Sequence, residues 1–354
     1  IVEAVSCFIN PRILLVTFTN KAAREMRERI EQTIDRSIQS MWVGTFHGLA
    51  HRLLRTHWQA ASLPQTFQIM DAQDQLRFLK RLMKSMELDE EKWVPKKVQW
   101  FINDRKDEGI RAAHIDSQGD FYLEQLQKIY LEYEQNCARC GLVDFAELLL
   151  RAHELLLGNA DLLAHYQDRF RHILVDEFQD TNALQYAWIR ILAGSTGRVF
   201  VVGDDDQSIY GWRGAKIENI MQFERTFAGA ERICLEQNYR STGNILAAAN
   251  SLIAKNTNRL GKDLWSSGPV GETIDLYAAY NESDEARFVL ERLRHRERLG
   301  QARSEVAVLY RSNAQSRVFE ELLMAQSIPY RVYGGLRFFD RQEIKDALAY
   351  VRLL

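Results

Sequence analysis

The segment His172-Ile-Leu-Val-Asp-Glu-Phe-Gln-Asp180 decides the fold class, because a short apolar run ends abruptly in acidic residues. This pattern is typical of a buried parallel strand whose following loop holds polar groups at the carboxyl edge of a sheet. A second such run, Arg198-Val-Phe-Val-Val-Gly203, follows a helical pattern over 184–192. The alternation of strand, helix and strand predicts a βαβ unit and a parallel sheet.

The same pattern lies near the start of the sequence. Ile13-Leu-Leu-Val-Thr-Phe-Thr19 is another apolar run, and apolar residues then recur at helical spacing over 22–34. Residues from about 48 to 165 carry almost only helical periodicity. We therefore expect the first run to join the sheet of the later two, with the helical block inserted between them.

The last third of the sequence predicts a second α/β domain. Helical patterns occupy 241–261, 285–293 and 316–325, and strand patterns occupy 274–277 and 305–310. The alternation has the period expected of strands separated by crossover helices.

Composition excludes several classes of protein. The 354 residues are 46% hydrophobic with a net charge of -2, which is ordinary globular composition, so any polyanion must bind to a local patch. No apolar run reaches membrane-spanning length. Cys7, Cys137, Cys140 and Cys234 are scattered, as is typical of a reducing compartment. The spacing of Cys137 and Cys140 favours two thiols on a helix over a zinc site, which needs four ligands.

A basic stretch in the helical block leaves two interpretations open. Lys96, Lys97, Arg105 and Lys106 lie in and just after the segment from Trp93 to Trp100. They are consistent with a patch for duplex DNA and equally with a solvated helix face.

Asp176 and Glu177 provide the two carboxylates that hydrolysis of a nucleoside triphosphate uses. One would hold Mg²⁺ and the other would position or deprotonate the attacking water. Taken alone, an adjacent Asp and Glu at a strand end more often form a polar cap on the surface.

Two later segments add to this chemistry. Gly203-Asp-Asp-Asp-Gln-Ser-Ile-Tyr-Gly-Trp-Arg-Gly214 places Tyr210 and Trp212 beside an arginine, as a platform for single-stranded nucleic acid requires. The alternative is that both aromatics fill a core. Leu235-Glu-Gln-Asn-Tyr-Arg-Ser-Thr242 places Arg240 next to a helix start, from which it can reach a phosphate.

In their order and in their residue identities, these segments resemble the UvrD/Rep/PcrA family of superfamily 1 DNA helicases. The resemblance covers essentially the whole chain. It implies an α/β fold with two RecA-like parallel-sheet motor domains, both incomplete. The first contains a large helical insertion, and a second helical insertion starts at the end of the chain. The implied boundaries are 1–47 with 171–236 for the first motor domain, 48–170 for its insertion, 237–333 for the second motor domain, and 334–354 for the start of the second insertion. Further segments that carry the resemblance are Thr17-Phe-Thr-Asn-Lys-Ala-Ala23, Gly44-Thr-Phe-His-Gly48, Tyr310-Arg-Ser-Asn-Ala-Gln-Ser-Arg317 and Tyr333-Gly-Gly-Leu-Arg-Phe-Phe339.

The resemblance also implies a role for each residue of a site that binds ATP and Mg²⁺. Asp176 would hold the metal through water, and Glu177 would activate the attacking water. Gln207 would sense the γ-phosphate, Tyr239 would lie against adenine, and Arg240 would act as an arginine finger.

The same resemblance implies an interface for single-stranded DNA and for junctions of single- and double-stranded DNA. Aromatic residues stack on any base, so binding is expected to be largely independent of sequence. No membrane is implied, and self-association and repair-protein partners stay open. The contacts implied are Phe18, Asn20, Thr45, His47, Tyr210 and Trp212 from the first motor domain, with Arg311 and Asn313 from the second.

The expected activity is that of an ATP-dependent translocase and 3′ to 5′ helicase of DNA repair and replication, in the bacterial cytosol or nucleoid. The sequence contains no G-x-x-x-x-G-K-[ST] loop, which the resemblance implies would lie before Ile1. Without that loop the chain alone is expected to hydrolyse little or no ATP. The alternative is a non-catalytic DNA-binding relic or interaction module. The presence of Asp176, Glu177, Gln207 and Arg240 together argues against it.

Overall fold

The computed structural model describes residues 12–34, 38, 40–257, 259–333, 347–348 and 350–351. They fall into two compact units. The first unit runs to Asn238 and resumes over Ala249–Trp265, and the second comprises Tyr239–Ala248 and continues from Ser266.

The strands are β1 (Ile13–Thr17), β2 (Trp42–Thr45), β3 (Gln68–Met70), β4 (Leu142–Asp144), β5 (His172–Val175) and β6 (Arg198–Val201). The helices are α1 (Asn20–Ile34), α2 (Phe46–Thr56), α3 (Ala72–Ser85), α4 (Pro95–Asp107), α5 (Phe121–Cys140), α6 (Phe145–Leu157), α7 (Ala160–Arg169), α8 (Ala183–Ala193), α9 (Glu218–Thr226), α10 (Gly243–Ile253), α11 (Glu282–Arg298) and α12 (Ser316–Ala325).

The first unit is built on a four-stranded parallel sheet with the order β2-β1-β5-β6. The three strands predicted from apolar runs are all present, and β1 lies beside β5 as expected. Strand β2 was not predicted, because its four residues run directly into helix α2 and therefore give no separate strand signal.

Both faces of the sheet are covered, which is why β1 is apolar from Ile13 to Val16. Leu14 and Val16 pack on one face with Phe46 and Trp188, whereas Ile13 and Leu15 pack on the other with α1. Strand β1 is buried along its whole length, as the alternation of side chains in a doubly covered parallel sheet requires.

The block between β2 and β5 is helical, as predicted, apart from two short strands. Strands β3 and β4 of three residues each form a separate parallel pair. The block has a hydrophobic core of its own that includes Leu79, Ile102 and Tyr133. Lys106 lies inside this block at 2% side-chain exposure. Both interpretations that placed Lys106 on a surface are therefore wrong, whereas Lys96 and Lys97 are exposed.

The three helices predicted in the last third of the chain are present as α10, α11 and α12. Helix α10 ends at Ile253 rather than at 261, whereas the predicted bounds of α12 match its observed bounds, Ser316–Ala325. The segments 274–277 and 305–310, expected as strands, contain none within the described residues. A strand needs a partner for its ladder, and these segments instead leave Leu276 and Leu309 exposed at 98% and 94%. The expected start of a second helical insertion at 334–354 lies outside the described residues except for 347–348 and 350–351.

No helix within the described part of the chain is both long and apolar enough to cross a membrane.

Candidate active site and nucleic-acid interface

The carboxyl edge of the sheet carries the acidic pair. The N–H of Asp176 donates to the carbonyl of Val16 on β1 at 2.9 Å, so the chain continues the sheet for one residue beyond β5. Glu177 then adopts the left-handed conformation, with φ of 52° and ψ of 43°. This turn ends the strand and leads into a short 3₁₀ helix, Phe178–Asp180. Asp176 is half-buried and Glu177 is exposed at the sheet edge.

The electrostatics of Asp176 suit a cation. Burial, and then the charge of the neighbouring Glu177, raises the pKa of Asp176. A divalent cation would offset both effects, since it favours the ionised carboxylate. Carboxylate oxygens are also the ligands that Mg²⁺ prefers, so the residues present fit that ion.

Gln179 joins this edge to the next strand. Its Nε2 donates to Glu177 Oε2 at 2.8 Å, and its Oε1 accepts from the N–H of Asp204 at 3.0 Å. A backbone hydrogen bond from Phe178 to the carbonyl of Val202, at 2.9 Å, runs alongside. The loops after β5 and β6 are thereby held side by side.

Gln207 lies in the 3₁₀ helix Asp205–Gln207, which follows β6. Its Nε2 donates to Asp204 Oδ2 at 2.7 Å. Burial opposes ionisation of Asp204, but hydrogen bonds from Lys262 and Gln207 outweigh it and hold the pKa of Asp204 below its usual value. The structure therefore brings Asp176, Glu177 and Gln207 to one edge of the sheet.

Three consecutive acids, Asp204, Asp205 and Asp206, offer ligand atoms within 4.8 Å of one another. Each already has a partner from the segment after α10. Arg259 binds Asp206 through Nε and Nη2 at 2.8 and 2.6 Å, Lys262 pairs with Asp204, and the N–H of Leu260 donates to Asp205 at 2.7 Å. The three carboxylates therefore share two cations and one backbone N–H from this segment.

Tyr210 and Trp212 form an aromatic pair after this loop, with ring centroids 6.3 Å apart. Trp212 is 64% exposed, so the alternative that it fills a core is wrong. An exposed indole beside a second ring presents a face on which a base can stack.

A cavity of about 400 Å³ lies between the sheet and the helical block. Phe18 and His47 line it, and burial lowers the pKa of His47 to about 4, so its imidazole is neutral at physiological pH. Thr45 caps α2 by accepting from the N–H of Gly48 at 3.2 Å, which fixes the helical turn that carries His47. Asn20 is exposed at the first position of α1.

Sequence reasoning missed the residues that the helical block contributes to this cavity. Phe145 lies at the start of α6, is 49% exposed, and meets the His47 ring edge-on at a centroid distance of 5.9 Å. Asp107, at the end of α4, accepts from Asn182 Nδ2 at 3.0 Å. The one available signal was the Leu142-Val-Asp-Phe145 run, where a short apolar segment ends in an acid.

Four predicted site residues belong to the second unit. Tyr239 is 85% exposed, and Arg240 and Arg311 are also exposed. Asn313 starts a 3₁₀ turn over Asn313–Gln315. The side chain of Gln315 accepts from the N–H groups of Arg311 and Ser312 at 2.9 and 3.0 Å, which orders the loop that carries Arg311 and Asn313.

Each of the two parts of the chain matches the model of a known protein family. Residues 5–228 match the UvrD/REP helicase N-terminal domain, and residues 233–354 match the UvrD-like helicase C-terminal domain. Domains of this kind are RecA-like motor domains, which agrees with the α/β class predicted from the sequence.

Several bacterial helicases are similar along almost the whole chain. DNA helicase II of Escherichia coli strain K12 is 63% identical over 342 residues, which is 97% of this chain and 48% of that protein. DNA helicase II of Haemophilus influenzae is 57% identical over 346 residues, with the same coverage of 97% and 48%. The ATP-dependent DNA helicase PcrA of Staphylococcus epidermidis is 41% identical over 343 residues, 97% of this chain and 47% of that protein. The chain spans about half the length of these curated relatives. Since the two family models together account for nearly all of its residues, the chain belongs to the UvrD/REP helicase family.

Proposed function

We propose that the chain is the core of an ATP-dependent motor that moves along single-stranded DNA in the 3′ to 5′ direction and separates duplex strands. The observation that carries this proposal is the hydrogen-bonded path from Glu177 through Gln179 and Asp204 to Gln207. It gathers a carboxylate base and an amide that can reach a phosphate at the edge where parallel α/β sheets bind ligands.

The first unit supplies the groups that act on the nucleotide. Asp176 would hold Mg²⁺, and Glu177 would take the proton of the attacking water. Gln207 would reach the γ-phosphate and link it to the loop that carries Tyr210 and Trp212. ATP with Mg²⁺, when bound, supplies the phosphoryl group and the cation that neutralises charge developing on it.

Two residues of the second unit are proposed to contact the nucleotide. Tyr239 would lie against adenine through its exposed ring. Arg240 stabilises charge on the transferred phosphoryl group as an arginine finger, because a guanidinium presents a fork of donors to phosphate oxygens.

Single-stranded DNA and its junctions with duplex DNA are the proposed substrates. Trp212 and Tyr210 provide exposed aromatic surface, and Phe18 and His47 line a cavity large enough for a base. Asn20 and Thr45 lie beside these rings in the sequence, and Arg311 with Asn313 hold the strand from the second unit. Stacking on aromatic faces gives affinity without a preferred sequence.

The domain boundaries follow from this reading. Residues 1–47 with 171–236 form the first motor domain and 48–170 its insertion. Residues 237–333 form the second motor domain and 334–354 begin the next insertion. The protein acts in repair and replication in the cytoplasm. Because the sequence lacks a P-loop, the chain alone hydrolyses little or no ATP, whereas the full-length protein hydrolyses it when DNA is present.

The test compares wild-type full-length protein with Glu177→Gln. DNA-stimulated phosphate release is expected to fall by at least about 100-fold, because the base is lost while its shape is kept. Glu90→Gln, an exposed carboxylate of the helical block, serves as the control and keeps wild-type turnover. Unwinding of duplexes with a 3′ tail but not a 5′ tail checks the direction. A wild-type protein that binds single strands yet releases no phosphate would instead identify a non-catalytic DNA-binding module.

A further inference from the structure

Gln179 lies between the acidic pair and Asp180 in the sequence. It is 1% exposed, and both ends of its amide are used in hydrogen bonds to different loops. We propose that Gln179 is the positioning residue that fixes the carboxylate of Glu177 and couples it to the loop of Gln207. This inference rests on the proposed ATPase function of the site.

The chemistry of the bridge requires an amide. Nε2 of Gln179 donates to Glu177 Oε2 at 2.8 Å while Oε1 accepts from the N–H of Asp204 at 3.0 Å. A carboxamide carries a donor and an acceptor on one carbon, whereas an ionised carboxylate can only accept. The donated hydrogen bond also fixes the direction in which the Glu177 carboxylate points.

The bridge has little freedom to move. A Cβ placed on Gly203 would come within 2.9 Å of Gln179 Oε1 and 3.3 Å of its backbone nitrogen. The glycine therefore lets the backbone of the second loop approach the amide closely. The Glu177 backbone is in the left-handed region, at φ of 52°, where few residues other than glycine are found. The hydrogen bond from Gln179 Nε2 holds the Glu177 side chain, which projects from this turn.

The bridge continues toward the residue proposed to sense the phosphate. Asp204, whose N–H is bound by Gln179, accepts at Oδ2 from Gln207 Nε2 at 2.7 Å. A shift of Gln207 toward a phosphate therefore changes the hydrogen bonds of Asp204, and Gln179 passes that change to Glu177. Gln179 acts through Glu177 and touches neither nucleotide nor DNA itself.

The decisive variant is Gln179→Glu in the full-length protein. It keeps the size of the side chain and an oxygen for the N–H of Asp204, but it removes the donor to Glu177 and places a second negative charge beside it. We expect kcat for DNA-stimulated ATP hydrolysis to fall about 10- to 100-fold with the KM for ATP within about twofold. A lower kcat at an unchanged KM indicates that ATP binding is retained while the position of the Glu177 carboxylate is lost.

Gln167→Glu is the matched control. Gln167 Nε2 donates to the carbonyl of Ile191 at 2.7 Å, so the same substitution removes a similar bond between α7 and α8, away from the acidic pair. This variant should keep the wild-type kcat and KM. If both variants lowered kcat equally, or if Gln179→Glu raised the KM for ATP as strongly as it lowered kcat, Gln179 would be a purely structural residue and the proposal would be overturned.

Further measurements distinguish misfolding of the variant, failure of the proposed role of Gln179 and failure of the proposed ATPase function. Should Gln179→Glu not fold, as judged by circular dichroism, Gln179→Met removes both hydrogen bonds without adding charge. Wild-type kcat in the methionine variant would overturn the positioning role. An inactive wild-type protein would instead refute the proposed ATPase function, whereas an active wild type with an unaltered Gln179→Glu variant refutes the role of Gln179 alone.

Discussion

Lys106 Nζ lies 2.7 Å from Asp144 Oδ2, and both side chains are only 2% exposed. A second carboxylate, Glu147, lies 2.9 Å from the same ammonium, and the hydroxyl of Tyr133 donates to Asp144 at 2.7 Å. Burial opposes the charge on the lysine, but Asp144 and Glu147 outweigh it and raise the pKa of Lys106. Asp144 also caps α6 by accepting from the N–H of Glu147. The pair therefore fixes the start of the helix that brings Phe145 to the cavity.

The first prediction concerns this pair. Lys106→Met should lower the free energy of unfolding by about 3–5 kcal/mol, because it leaves Asp144 and Glu147 buried without their common cation. Urea denaturation of the chain, followed by tryptophan fluorescence, measures the loss. Lys97→Met, on an exposed position of the same helix, should change the same quantity by less than about 0.5 kcal/mol. Equal stabilities for the two variants would contradict the assigned burial.

The second prediction concerns pH. Burial, followed by the charges of Asp104 and Asp144, raises the pKa of Asp107 from 3.8 to about 7. The folded protein thus keeps a proton that the unfolded chain releases, so this group's contribution to stability is full below about pH 4 and is lost as pH rises to about 7.

Asp107→Asn removes that loss while its oxygen still accepts from Asn182. The variant should match wild type at pH 4 and exceed it by about 1–3 kcal/mol at pH 8, as measured by the free energy of unfolding. Glu90→Gln, an exposed acid, is the reference and should track wild type at both pH values. A variant less stable than wild type at pH 8 would argue that the charged form of Asp107 is the favoured one.

The third prediction tests the aromatic platform. Trp212→Ala should weaken binding of single-stranded DNA by about 1–3 kcal/mol, because a base loses its stacking surface. Fluorescence anisotropy of labelled oligonucleotides measures the affinity, and the loss should be similar for homopolymeric and mixed sequences. Trp100→Ala removes an indole of similar exposure, 69%, from helix α4 and should leave the affinity unchanged. A loss restricted to one sequence would contradict stacking as the mode of binding.

The sequence was most informative where a pattern depends on one element alone. Strand β5 and helix α12 were predicted within a residue of their observed ends, because an apolar run or an amphipathic repeat identifies them without reference to neighbours. Strands β3 and β4 escaped prediction, since three residues give no measurable period and their pairing depends on residues far apart in the chain. Segments 274–277 and 305–310 have strand-like composition, yet composition does not supply a hydrogen-bonding partner.

The candidate site also contains residues that the local sequence identifies and residues that only long-range contacts reveal. Asp176, Glu177 and Gln207 could be placed at the edge of the sheet, because each follows a recognisable strand at short range. The proposed role of Gln179 could not be inferred from the sequence, because it depends on a contact with Asp204 across two strands. The buried state of Lys106 was equally hidden, since its two acidic partners lie about 40 residues away in the sequence.

The neighbouring strands β1 and β5 have a consequence for how the chain is made. Leu14 pairs with Ile173, so the centre of the sheet cannot close until the entire helical block has left the ribosome. That block contains a hydrophobic core around Leu79, Ile102 and Tyr133, which can form before β5 is synthesised. We therefore expect β1 to remain unpaired on its β5 side during synthesis, and the motor sheet to assemble around an insertion that is already folded.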